Sequence, residues 1–247
     1  MDSLTWHPMW DDLPEASHPD LAPLRPLSVD DDDAIAAHYS AKARQIAPTK
    51  APEVVIAAAP ATELGGGAGY IPVEHRIELD PRESVTAADI ASGRWRGFLE
   101  GQFWHEIAHA LTKPTREPDL TEELLAYQLL EDVRIERALL ETHPEARPWL
   151  RTNTLGRSQT AKSILTSAGT LGWLVIYGVF GARRHAGVVT DEEASEIEEL
   201  APSVARPQLV DIDGLFAEYA TNGVSSARRA RIITAVAQKL PARTLFP

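Results

Sequence analysis

The chain contains no cysteine. That excludes a disulfide framework and any thiolate metal site, and it fits a reducing compartment, so a cytoplasmic protein is expected. Basic charge is also scarce: 24 Lys and Arg stand against 36 Asp and Glu, a formal net charge of −12. Nucleic-acid binding needs clustered cations for the phosphate backbone, and surface anchoring to a membrane needs a polybasic patch. Neither partner is expected here. Long apolar runs are almost missing. The exception is residues 164–182, which carry no charge between Lys162 and Arg183 and approach the length of a membrane span. Four glycines and Thr166, Ser167 and Thr170 interrupt that run, so a buried helix or helix pair is preferred to an anchor. Residues 1–20 are acidic and lack an apolar core run, so no signal peptide is expected.

What is present is an ordinary globular composition, 44% hydrophobic over 247 residues, enough for one sizeable core. Residues 1–33 hold five prolines and end in the run Asp30 to Asp33. They read as an acidic, proline-rich arm, extended or disordered, although Trp6 and Trp10 point instead to a segment draped over the body. Residues 34–247 read as a single domain, 34–142 supplying a sheet and the candidate site and 143–247 a helical subdomain. An aspartate-capped helix is expected after Ser28. "PEVVIAAAP" (52–60) is a β-branched run between prolines and "HRIELDP" (75–81) alternates, so both are strands. Between them "ELGGGAGYIP" reads as a glycine-rich loop, without the helix context of a phosphate cradle. Helices are expected at about 86–112, 120–142, 158–182, Thr190–Leu200, Asp211–Ala220 and Ser225–Leu240, with capping boxes Asp119/Glu122 and Thr190/Glu193. The fold class is α+β: a small sheet, then helices.

Chemistry concentrates in "GQFWHEIAHALT" (101–112). On a helix, positions i and i+4 lie one above the other, so His105 and His109 present their imidazoles to one point and can share a zinc ion. Glu106, one position along, reaches a water at that ion without ligating it. Zinc lowers the pKa of water to about 7, and a neighbouring carboxylate can take the proton. Two histidines satisfied inside a core helix are the plainer explanation. The apolar surroundings count against it, because unpaired histidines there are costly to bury.

A third ligand is needed, and "LTEELLAYQLLEDVRIERALLE" (120–141) is the segment to supply it. At 100° per residue Glu123, Arg134 and Arg137 share a solvent arc, whereas Glu131, Asp132 and Glu136 fall among leucines, isoleucine and tyrosine. An acid there is expensive unless it has a partner. Asp132 and Glu136 are i, i+4 and suit a ligand and an outer partner to a zinc histidine. Glu131 has the longer reach. The pattern leaves Glu131 and Asp132 both open as third ligand.

Together, the His105-Glu106-x-x-His109 motif and the strand before it resemble the zincin metallopeptidases over residues 52–142. That resemblance implies His105 and His109 as ligands of one Zn2+, Glu106 as general base, "RIELDP" as an edge strand for extended substrate, and a protein or peptide substrate. The third histidine of the metzincins is missing after His109, so the resemblance is to the gluzincin or aspzincin type. "LLEDVRIE" is similar to the LEDxRIE segment of metallopeptidase-like proteins encoded beside von Willebrand-type adhesion domains, which makes Glu131, Asp132, Arg134 and Glu136 one functional unit. Tyr127, Tyr177, His143 and His185 are candidates to steady an oxyanion. The alternative to an endopeptidase is a non-catalytic scaffold on the same fold with structural zinc.

Overall fold

The computed structural model describes residues 18–58, 68–82, 85–115, 118, 121–155, 174, 177–200 and 206–240. Three short strands form the sheet: β1 (Glu53–Ile56), β2 (Ala68–Ile71) and β3 (Arg76–Leu79). The order is β1-β3-β2, with β3 parallel to β1 and antiparallel to β2. Two expectations are corrected here. The segment around Gly69 is a strand, missed because four residues flanked by glycines carry no readable alternation. β3, expected at an edge, is central among the described strands. Ile77 and Leu79 on it are fully buried, which explains the clean apolar alternation.

Helices make up the rest: α1 (Asp32–Ile46), α2 (Ala87–Ser92), α3 (Trp95–Leu111), α4 (Thr121–Thr142), α5 (147–155), α6 (Asp191–Leu200), α7 (Arg206–Ala220) and α8 (Ser226–Ala237). The architecture is therefore α+β, mostly helical, with a small sheet ahead of the helical half. The single helix expected over 86–112 is two. Thr86 and Asp89 close a capping box at the start of α2, and Gly93 ends it in the left-handed region at φ 79°, a turn that glycine takes without steric cost. The aspartate at the start of α1 does not cap it: the Asp31 carboxylate instead accepts from the Ser28 N–H at 2.5 Å. Thr190 and Glu193 do form their capping box. α5 had no counterpart among the expected helices. The expected Asp119/Glu122 box and most of the expected helix 158–182 lie outside the described residues.

From His18 onward the arm is folded onto the body. Pro19–Leu24 form a 3-10 helix whose Leu21 and Leu24 are fully buried. Arg96 of α3 donates to the main-chain carbonyls of Leu24 (2.8 Å), Arg25 (3.1 Å) and Leu27 (2.8 Å). The expectation of an extended or disordered arm does not hold for these residues, because buried leucines and satisfied carbonyls give them a packed partner. Among the described residues no helix is long and apolar enough to cross a membrane. Tyr177, Phe180 and Ala182, at the end of the charge-poor run, are buried in the domain.

α3 and α4 are the frame of the site. α3 is buried on most of its circumference: Trp95, Leu99, Phe103 and Ile107 repeat at i, i+4 at 2% exposure or less. It packs on β2, β3 and α4. Lys42 of α1 ion-pairs with the fully buried Glu100 on α3, and the Trp104 indole N–H donates to the same carboxylate at 2.9 Å. Opposite, α3 runs close to α5 at Gly101. α4 buries Ala126, Leu129, Leu130, Val133, Ile135 and Leu139, and contacts α3, α7, α8 and the 3-10 segment Gly181–Ala186.

Candidate metal centre

His105 and His109 sit one turn apart on α3 with ring centroids 5.0 Å apart. Across the helix pair, Asp132 of α4 turns one carboxylate oxygen toward both rings. Its Oδ1 lies 3.4 Å from His109 Nε2 and 3.8 Å from His105 Nε2. The three residues offer one ligand atom each, and these atoms all lie within 4.8 Å of one another. All three side chains are half-buried.

The outer contacts fix which atoms face inward. His105 Nδ1 is 2.8 Å from Glu136 Oε1. An ionised carboxylate only accepts, so His105 donates its Nδ1 proton to Glu136 and turns Nε2 toward Asp132. Glu136 also ion-pairs with Arg183, and Arg183 Nη2 donates to Asp132 Oδ2 at 3.2 Å. One oxygen of Asp132 is thereby occupied by a guanidinium while the other faces the imidazoles. Arg183 is 7% exposed, so this charge sits inside the protein. Among the described residues, three carboxylates (Glu106, Asp132, Glu136) stand around this point against the Arg183 guanidinium, an acidic surrounding that suits a cation.

Burial alone disfavours the ionised form of Asp132, but the His105 charge, the His109 hydrogen bond and Arg183 outweigh it and hold the carboxyl well below the usual range. Burial likewise pushes the His105 imidazole down. Asp132, the Glu136 hydrogen bond and the nearby Glu106 charge reverse that and raise it. Glu106 is 6% exposed and makes no hydrogen bond among the described residues.

Of the two acids left open by the pattern, Asp132 is at the site and Glu131 is elsewhere. Glu131 accepts from the Thr115 N–H (3.0 Å), the Thr115 hydroxyl (3.0 Å), the Tyr219 hydroxyl (3.0 Å) and Arg134 Nε (2.9 Å). It latches the chain leaving α3 to α4 and α7, and it is not in the group whose ligand atoms converge. Arg134 belongs with that latch, not with Asp132 and Glu136, so the "LEDVRIE" residues divide between two jobs.

The candidate oxyanion donors are engaged in other contacts. The Tyr127 hydroxyl donates to Thr115 O at 3.1 Å, His143 Nδ1 is 3.1 Å from Glu145, and the Tyr177 hydroxyl and His185 Nε2 both meet Asp213, the latter at 2.5 Å. His75, expected to be structural, is held by Tyr70 OH at 2.7 Å and Lys50 O at 3.1 Å in a turn at φ 50°. Arg183 escaped the pattern reading altogether. Its signal was present: it is the first charge after the 20 uncharged residues that follow Lys162, where a buried guanidinium needs acidic partners.

No family model, no curated protein and no solved structure matches this chain.

Proposed function

We propose that this chain is a zinc-dependent endopeptidase of the zincin kind, with His105, His109 and Asp132 as the ligands of one Zn2+ and Glu106 as the general base. The observation that carries the reading is the convergence of His105 Nε2, His109 Nε2 and Asp132 Oδ1 on one point. Zinc–ligand bonds of about 2.0–2.1 Å in a tetrahedron put neighbouring donors about 3.3–3.4 Å apart. The 3.4 Å separation matches that, and the 3.8 Å one needs a small closing movement of the side chains, with all the ligand atoms already within 4.8 Å of one another. Two imidazoles and a carboxylate are a hard-to-borderline donor set suited to zinc, and a set of three matches a catalytic site with an open position better than the closed four-ligand site of a structural zinc. That count, made among the described residues, favours the peptidase over the scaffold.

When bound, zinc supplies Lewis-acid chemistry to the water and to the scissile carbonyl. The protein's share is proton handling and positioning. The Glu106 carboxylate takes a proton from the attacking water. The water oxygen bonds to the carbonyl carbon, the C–N bond breaks, and Glu106 returns the proton to the leaving nitrogen. Glu136 holds His105 through Nδ1 so that Nε2 keeps its aim. The substrate is a protein or peptide rather than nucleic acid, in keeping with the net charge of −12. Absence of cysteine supports a cytoplasmic site of action.

Elemental analysis of the purified chain tests the centre: about one zinc per chain is expected in wild type and none in His105→Ala. Glu106→Gln is expected to keep its zinc and lose about 10²–10⁴-fold in hydrolysis of an unfolded protein substrate. Zinc-free wild type, or a Gln variant as active as wild type, overturns the proposal.

A further inference from the structure

Among the described residues, Arg183 is the one Lys or Arg that contacts both Asp132 and Glu136. It comes from the 3-10 segment Gly181–Ala186, remote in sequence from α3 and α4, yet it donates to Asp132 Oδ2 at 3.2 Å and ion-pairs with Glu136 Oε1. Glu136 in turn receives His105 Nδ1 at 2.8 Å. One guanidinium therefore contacts a direct ligand and the partner of another ligand. Asp132 and Glu136 stand one helical turn apart on α4, and the planar fork spans that gap with two separate nitrogens. A lysine offers its donors from a single nitrogen on a flexible stem, so it does not fix both carboxylates in place as the planar fork does. The neighbouring side chains anchor the segment that carries the fork: Arg184 pairs with Asp213 at 2.8 Å and Glu198 at 3.0 Å, and His185 meets Asp213 at 2.5 Å.

We propose that Arg183 is a positioning residue of the metal centre, holding Asp132 by its outer oxygen and Glu136 against His105 so that three donors already converge before the ion arrives. The inference rests on the metal reading above. Its sign is what makes it testable. Charge alone predicts the opposite effect, because deleting a cation beside a cation site tightens the site. Positioning predicts weaker binding when the fork is lost. Asp132 is then free to swing both oxygens, and Glu136 has no second contact to keep it on the imidazole. Loss of an outer partner of a zinc ligand typically weakens the metal by about 10–100-fold, which outweighs a screened and relaxed charge effect.

The experiment is a competition titration of zinc against a chromophoric chelator with the full chain, for wild type, Arg183→Met and Arg183→Lys, alongside thermal unfolding of the metal-free proteins. Arg183→Met is expected to bind zinc about 10–100-fold more weakly than wild type. Arg183→Lys keeps the charge and is the variant that folds if the methionine one does not. It is expected to lie between the two, weaker than wild type by severalfold, with a metal-free melting temperature near wild type. Equal affinity in wild type and the lysine variant, or tighter zinc in the methionine variant, overturns the positioning role and leaves the zinc reading standing. Failure of wild type itself to bind zinc overturns the metal reading, and this inference with it.

Discussion

Adjacent acids on α4 have opposite lives, and the difference is worth a measurement. Asp132 faces two imidazoles, whereas Glu131 is saturated by Thr115, Tyr219 and Arg134. Asp132→Asn is expected to abolish stoichiometric zinc while leaving the fold in place, since the amide nearly matches the carboxylate in shape. Glu131→Gln is expected to keep zinc and to destabilise the protein by about 1–3 kcal/mol, because an amide cannot accept from all four donors and leaves some unpaired. Metal content and urea unfolding of the two variants separate the roles; zinc lost from Glu131→Gln with stability intact would contradict the assignment. The residue types at the site were legible in the chain: two histidines four apart, an acid beside the first, and apolar neighbours. Which of two consecutive acids faces them was not, because 100° of rotation about α4 depends on what that helix packs against.

At the scale of elements, the site depends on how tightly α3 is clamped. A Cβ at Gly101 would meet the Trp149 carbonyl oxygen within bonding-clash range and Asn153 Cβ at 2.6 Å. Those are backbone and β-carbon atoms, which cannot swing aside. Replacing a helical glycine with alanine normally gains about 1 kcal/mol in propensity. Here overpacking costs about 1–3 kcal/mol and wins. Gly101→Ala is therefore expected to lower the melting temperature and, by shifting α3 one turn ahead of His105, to weaken zinc. A melting temperature above wild type would show that α5 yields and that the contact is soft. The long, strongly periodic elements α1, α4, α6 and α8 were legible in outline. β2 was not, being four residues beside glycines, and the α2–α3 break was not, because apolar periodicity runs on across Gly93.

For the whole molecule, pH stability follows from the buried ion pairs. Glu131 is held below the ordinary carboxyl value of 4.5, Arg134 and Thr115 outweighing the effect of burial. Asp213 is held below 3.8 by His185, Arg184 and Tyr177, again against burial. A carboxyl with a depressed folded pKa contributes stability that is whole above its unfolded value and is lost as pH falls through the folded one. His105, raised above 6.5, contributes in the other sense: its share is whole below 6.5 and is lost as pH rises through the folded value. Metal-free protein is therefore expected to be most stable between about pH 4.5 and 6.5. Melting temperatures from pH 3 to 8 check this, and Glu131→Gln should flatten the acid side. An unchanged acid slope in that variant would remove the latch as its source.

The sequence by itself determined what local geometry determines. The i, i+4 histidines, the place of Glu106 beside the first of them, the capping box at Thr190 and the α+β order follow from helical and strand periods that act within a few residues. Tertiary structure decided the rest. It chose Asp132 over Glu131, gave Glu136 to His105, folded the arm from His18 onto Arg96, and brought Arg183 from 51 residues beyond Asp132 to grip the centre. The physical reason is that a buried charge is settled by whichever partner packing delivers to it, and that partner carries no fixed spacing in the chain.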